Sequence, residues 1–306
     1  MLFLAAALPI LFWNGGPDSA TALREAGIER VAVPAGQATG WGTGVSVEAF
    51  DPAKAVKLAT PSVEYRANEA TASRSPWLDA NGWTLLRRPS ARYYYDVPGP
   101  AAALAAAEAF SYGANAMVRT DGAGLKPFAA MLRFLRSIET LELSPVADIG
   151  FVDDGGDVAG EVLNLMLRNN LLVSIVPKPD PRLKLNVRLG SREFPMEDAQ
   201  DPGGMAHTVR ARLTDEKRSL RIYGTQVVLA RVLRGTGRMR ILLLNYDGAR
   251  RAVDGLRVRV PGSFPNHRAA AAGSSSVQLL DYVTEGGATE FTLPTLATFA
   301  VVDLSK

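Results

Sequence analysis

The residue types best suited to chemistry gather between Val63 and Trp83, in VEYRANEATASRSPWLDANGW. Glu64, Asn68, Glu69, Arg74, Trp77, Asn81 and Trp83 fall within about one loop's reach of each other. Carboxyl groups move protons, amides and guanidinium groups bond hydroxyls, and indoles stack on apolar ring faces. Together they suit a carbohydrate. Asn68-Glu69 follows an expected strand, Ser62 to Ala67. There an amide can hold a sugar 2-hydroxyl while the neighbouring carboxyl protonates the leaving oxygen. A loop-capping Asn beside a solvated Glu explains the same pair.

Glycoside hydrolysis needs a second carboxyl, about 5–5.5 Å away for retention or about 6.5–9.5 Å for inversion. Asp121 ends the expected strand ANAMVRTD, and Asp96 ends RYYYDV. Both would share a rim with Glu69 if the strands belong to one parallel sheet. Glu64 alternates with Val63 and Tyr65 and can face the interior of a closed sheet. Asp121 has a plainer reading, as the cap of the helix beginning near Leu125. Glu108, on an Ala-rich helix, can simply pair with Arg119. Trp41 joins Trp77 and Trp83 as a candidate stacking surface, or all three pack a loop over the sheet.

Several chemistries are excluded. The chain has no Cys, so thiol catalysis, Cys-ligated zinc and disulfides are absent. Its two histidines, His207 and His267, leave no His-rich metal centre. Asp153-Asp154-Gly155-Gly156-Asp157 lacks the distal Glu of a calcium loop, and Asp157 reads as a helix N-cap. No metal and no cofactor is expected. The formal net charge is +3, with no basic run, which gives no support for nucleic-acid binding. Leu2 to Trp13 is apolar but too short to span a bilayer. It reads as a weak export signal, giving a periplasmic or extracellular protein, or as a first buried strand in a cytoplasmic one.

The elements that would position these residues follow from periodicity. LFWN, TALREAG and ERVAVP read as strand, helix, strand. WTLLRRP and RYYYDV read as strands, and PGPAAALAAAEAFSYGAN as a helix with Pro100 in its first turn. ANAMVRTD and LKPFAAMLRFLRSIETL add a strand and an amphipathic helix. This α/β pattern ends near Leu143. A full eight-fold barrel takes roughly 200–250 residues, so the barrel is reduced or the sheet is open. A small α/β unit follows, with ADIGFVDD, DVAGEVLNLMLRNN and LLVSIVPKPD as strand, helix, strand. From Arg218 the period changes to two, which predicts an antiparallel β-sandwich. The expected modules are 1–144, 145–217 and 218–306.

This order, with Asn68-Glu69, GTQVVLARV…RILLLNY and AAALAAAEAFSYGANAMVRTD, resembles the glycoside hydrolase superfamily. The layout is that of the three-module family 42-type β-galactosidases and of uncharacterised bacterial glycosidase-like proteins. The resemblance implies a reduced (β/α) barrel, an amidotransferase-like domain and a C-terminal β-domain. It implies Glu69 as general acid, with Asp121, Asp96 or Glu64 as partner. Asn68, Arg74, Trp77, Asn81, Trp83 and Trp41 would then hold the sugar. Without Cys the middle domain keeps a structural or homo-oligomerising role. The short barrel and the single acid on a motif leave two readings open: a glycoside hydrolase, or a lapsed relative that binds carbohydrate or serves as structure.

Overall fold

The computed structural model describes residues 8–65 and 76–306. Met1–Ser62 and Pro89–Leu141 make one compact unit, and Val63–Arg88 and Glu142–Lys306 a second. The chain runs β1 (Ile10–Phe12), α1 (Ala20–Glu25), β2 (Arg30–Val33), β3 (Ser46–Ala49), β4 (Val56–Leu58), β5 (Ser62–Glu64) and β6 (Trp77–Asp79). It continues through α2 (Gly82–Arg87), β7 (Arg92–Val97), α3 (Ala102–Ser111), β8 (Asn115–Thr120), α4 (Leu125–Ser137) and β9 (Ser144–Pro145). Next are β10 (Ile149–Val152), α5 (Asp157–Arg168), β11 (Val173–Ile175), β12 (Leu185–Arg188) and α6 (Pro202–Leu213). The later strands are β13 (Arg221–Tyr223), β14 (Val228–Gly235), β15 (Arg238–Asn245) and β16 (Val253–Pro261). They end with β17 (Asn266–Ala271), β18 (Leu280–Glu285), β19 (Ala288–Leu296) and β20 (Phe299–Ser305).

The first unit holds a six-stranded sheet in the order β3-β2-β1-β8-β7-β4, parallel throughout. Strand–helix–strand alternation imposes that direction, because each crossover returns the chain to the same end of the sheet. The first strand lies beside the last one, and chain order resumes on its other side. Among the described residues no ladder joins β3 to β4.

Alternation divides each strand between two faces. Leu11, Val31, Tyr95 and Val118 are wholly buried on one. Buried alanines of α3, Ala105, Ala106 and Ala109, have no side-chain bulk to hold the helix away. Tyr95 donates its phenolic proton to Oε2 of buried Glu108 on α3, at 2.8 Å. On the other face Ile10, Phe12, Ala32, Tyr94 and Met117 cluster with Phe50, just past β3. All three consecutive tyrosines are therefore buried.

The second unit contains a three-stranded parallel sheet, β11-β10-β12, covered by α5 and α6. Val162, Leu163 and Met166 of α5 and Met205 and Val209 of α6 bury against Ile149, Phe151 and Val187. Two antiparallel sheets follow, β13-β16-β19-β18 and β17-β20-β15-β14-β9, consistent with the expected sandwich. Leu256, Val258 and Val260 alternate inward along β16, while Arg257 and Arg259 point out to Glu290. His267 on β17 stacks on Tyr282 on β18 at 4.0 Å, linking the two sheets. Among the described residues no helix is long and apolar enough to cross a membrane.

Three sequence expectations change. WTLLRRP is not a strand: Gly82–Arg87 is the helix α2. Trp83 and Leu86, three apart, share one helical face and pack on the small α/β core. The strand expected from Ser62 to Ala67 is Ser62–Glu64, and it pairs with β6 in a two-stranded sheet rather than joining the parallel one. Tyr65 beyond it is held by Asp247 at 2.7 Å, and Arg250 bonds the Val63 carbonyl at 3.1 Å. The N-cap of α5 is Gly156, not Asp157.

Tyr282 gives this fold an alkaline limit. Its hydroxyl donates to the Phe264 carbonyl at 2.6 Å, and burial pushes its pKa up to about 12. The folded state holds that proton more tightly than the unfolded chain, whose phenol titrates near 10. The resulting stability is complete below pH 10 and is lost as pH rises through 12. Urea denaturation from pH 9 to 12 should show a decline in stability that is shallower in Tyr282→Phe.

Candidate functional site

In the second unit, the indoles Trp77 and Trp83 both lie against α5. Arg168, near its end, sits 3.8 Å over the Trp77 ring. The Trp83 ring and Arg87 crowd Gly160, near its start, where a Cβ would lie 3.1 Å from Trp83 and 2.7 Å from Arg87. Eight residues of helix separate the two contacts, about 12 Å along the axis. Arg87 also donates to Asp153 at 2.6 Å and to the Gly156 carbonyl at 2.8 Å. The Asp-Asp-Gly-Gly segment thus closes its own turns, with Asp153 accepting from Gly155 N and Asp154 from Gly156 N. Asn81 is buried at the entry to α2, and Glu64 is exposed on β5. Asn68, Glu69 and Arg74 lie outside the described residues.

In the first unit, Trp41 donates its indole N–H to the Gln37 carbonyl at 2.7 Å. Asp121 follows β8 and uses both carboxylate oxygens on backbone. It accepts from Gly124 N at 3.0 Å and from Gly99 N at 3.1 Å. Gly99 and Gly124 pack so closely that a Cβ on Gly99 would lie 2.7 Å from Gly124 N. Asp121 is therefore the clasp between the turns that follow β7 and β8. Asp96, one residue before the end of β7, pairs with Arg119 at the matching position of β8, at 3.3 Å. Their side chains are 41% and 47% exposed, so this pair is open to a ligand. Tyr94 and Asp96 together favour the charged form of the Arg119 guanidinium. Burial raises the Tyr94 phenol and Asp96 adds to the rise, so the group stays a neutral donor at ordinary pH.

The same face carries a second polar cluster that sequence reading missed. Glu48 on β3 takes Arg30 of β2 on Oε2 at 2.6 Å and Arg92 of β7 on Oε1 at 2.8 Å. The strands β3 and β7 stand four places apart in the sheet order. Laid flat, four strand spacings would separate them by roughly 19 Å. A direct ion pair therefore requires the sheet to curl until its ends approach. The aromatic contacts agree: Phe50 lies 6.0 Å from Tyr94 and 5.6 Å from Phe12, and Phe12 5.5 Å from Tyr94. The interior is thus plugged by rings, with ionic groups on either side of the plug. The signal for β3 was the alternation in Val45-Ser46-Val47-Glu48, four residues lost among the glycines around it.

Chemically, the face offers a carboxylate and a guanidinium side by side at the carboxyl ends of β7 and β8. In parallel α/β sheets that is the end where ligands bind. Among the described residues no group of three or more His, Asp or Glu could hold a metal ion.

No protein-family model matches the chain. No curated protein matches it either. Solved structures do. An α-L-fucosidase isoenzyme 2 from Paenibacillus thiaminolyticus superposes with a TM-score of 0.54 at 9% identity, over 71% of this chain and 61% of the fucosidase. An exo-carrageenase, GH42, from Bacteroides ovatus gives 0.41 at 8% identity, over 85% and 48%. A maltogenic α-amylase AmyB from Thermotoga neapolitana gives 0.30 at 9%, over 99% and 100%. At such identities the likeness is one of fold, and of these three the fucosidase superposition carries it. The fold is similar to that of the fucosidase, and the chain spans 61% of that fucosidase's length.

The plug and the ion pair should differ sharply in energetic weight. Phe50 is 4% exposed, and Phe50→Ala should cost about 3–5 kcal/mol in chemical denaturation. Glu48→Gln, at a partly exposed pair, should cost at most about 1 kcal/mol.

Proposed function

We propose that this chain is a carbohydrate-binding protein on a glycosidase fold, with little or no turnover. Its first unit is a (β/α) barrel reduced to six strands and opened between β3 and β4. The sugar lies at the carboxyl ends of β7 and β8. One observation carries the reading: the rim acids Asp96 and Asp121 are both engaged, the first by Arg119 and the second by two backbone N–H groups. A general acid must hold a proton and a nucleophile must have a free oxygen. Asp121 spends both oxygens on backbone N–H groups. Asp96 with Arg119 instead presents an acceptor and a forked donor 3.3 Å apart, which matches two adjacent hydroxyls of a sugar.

The second reading is hydrolysis, favoured by the fold shared with the fucosidase. Glu69 would then act as general acid, Asn68 would hold the 2-hydroxyl, and Glu64 would supply the second carboxyl.

Two measurements on the full chain separate them. On the first reading, a panel of aryl glycosides gives no turnover. Calorimetry with oligosaccharides then detects binding that weakens about 10-fold in Arg119→Ala, the loss of one charge-assisted contact. Turnover abolished by Glu69→Gln, with the fold intact by circular dichroism, would establish the second reading and end the first. Neither binding nor turnover with any sugar would remove both.

A further inference from the structure

We infer that the gap between β3 and β4 is a subsite for a single acidic sugar residue, one carrying a carboxylate on its ring. This deepens the carbohydrate reading and rests on it. The gap is where the curled sheet fails to close, since a ladder there would bring the strands to about 4.8 Å and leave no space. A cavity of about 240 Å³ lies at the connection between the two strands, lined by Ala35, Ala49, Phe50, Asp51, Lys54 and Arg92. That is below the ~300–1,000 Å³ of sites for drug-sized ligands, and suits one ring rather than a chain of them.

The charges favour an anion. Arg92 stands with its guanidinium 5.0 Å over the Phe50 ring, and one of its terminal nitrogens is bonded to Glu48. Glu48 is shared with Arg30, and the cavity wall itself carries two cations, Arg92 and Lys54, against one carboxylate, Asp51. The other donors of the Arg92 fork have no protein partner among the described residues. A guanidinium fork held by a ring and a carboxylate is preorganised for a second, planar carboxylate. Lys54 is 84% exposed and lies 3.8 Å from Asp51, so it is free to turn toward a ligand at the mouth. Asp51 spends Oδ1 on the Ala53 N–H at 3.0 Å and keeps Oδ2 as an acceptor for a sugar hydroxyl. Ala35, Ala49 and Phe50 supply an apolar wall for the C–H face of the ring. Inorganic phosphate would satisfy the cations but leave that wall unused.

The test is calorimetry of the full chain with galacturonate and glucuronate, beside galactose, glucose and inorganic phosphate. The uronates should bind at least about 10-fold more tightly than their neutral counterparts, and the preference should shrink as salt is raised. Lys54→Ala changes an exposed side chain and leaves the fold intact. It should weaken uronate binding by about 3–10-fold, and Arg92→Met by more. Equal binding of neutral and acidic sugars, or uronate binding indifferent to both substitutions, would overturn the subsite and leave the carbohydrate reading standing. Binding of phosphate as tight as that of uronate would reduce it to a simple anion site and overturn it too. Binding of no sugar at all would end both.

Discussion

A parallel sheet must cover both of its faces, and that requirement shapes the first unit. Its strands are apolar on both sides, with Leu11, Val31, Tyr93 and Tyr95 outward and Ile10, Phe12, Tyr94 and Met117 inward. The outward face is met by α3, whose alanines allow close approach. Among the described residues the inward cluster contains no helix side chain. It is buried by curling, so that Phe12 meets both Phe50 and Tyr94 edge to face and the ends of the sheet come within reach of one carboxylate, Glu48.

That solution limits the chemistry. Once three aromatic rings fill the interior, no reacting group can work there. Polar function is confined to the strand ends and to the open gap. At the strand ends the acids have structural partners. Asp121 clasps two turns, and Asp96 balances Arg119.

The second unit spends its buried charges in the same way. Asp148, 1% exposed, receives Lys184 at 2.7 Å and both the hydroxyl and the N–H of Ser219, stitching the small parallel sheet to the strand segment that follows α6. Asp247, 2% exposed, takes Tyr65 and Arg251 on one oxygen. Trp77 and Trp83, which by residue type suit a sugar platform, press on α5 instead. Aromatic residues bury large areas, and a short helix such as α2 obtains most of its stability from exactly that kind of docking.

Periodicity and turn chemistry in the sequence were enough for much of the architecture. They give the alternation of strand and helix to Leu143, the small α/β unit, and the change to period two after Arg218. Each of these depends on residues close together in the chain, and so is written locally. The absence of Cys and the scarcity of His likewise settled which chemistries were closed. Tertiary structure alone decided which face each strand end presents and what meets it there. WTLLRR carries apolar residues compatible with either strand or helix, and the groove on α5 selected the helix. Glu48 meets Arg92 across 44 residues, and Tyr65 meets Asp247 across 182. Such pairs have no local signature, because they exist only once a sheet has curled or a loop has docked. The same distance in sequence separates a list of acids that could do chemistry from knowledge of which are already occupied.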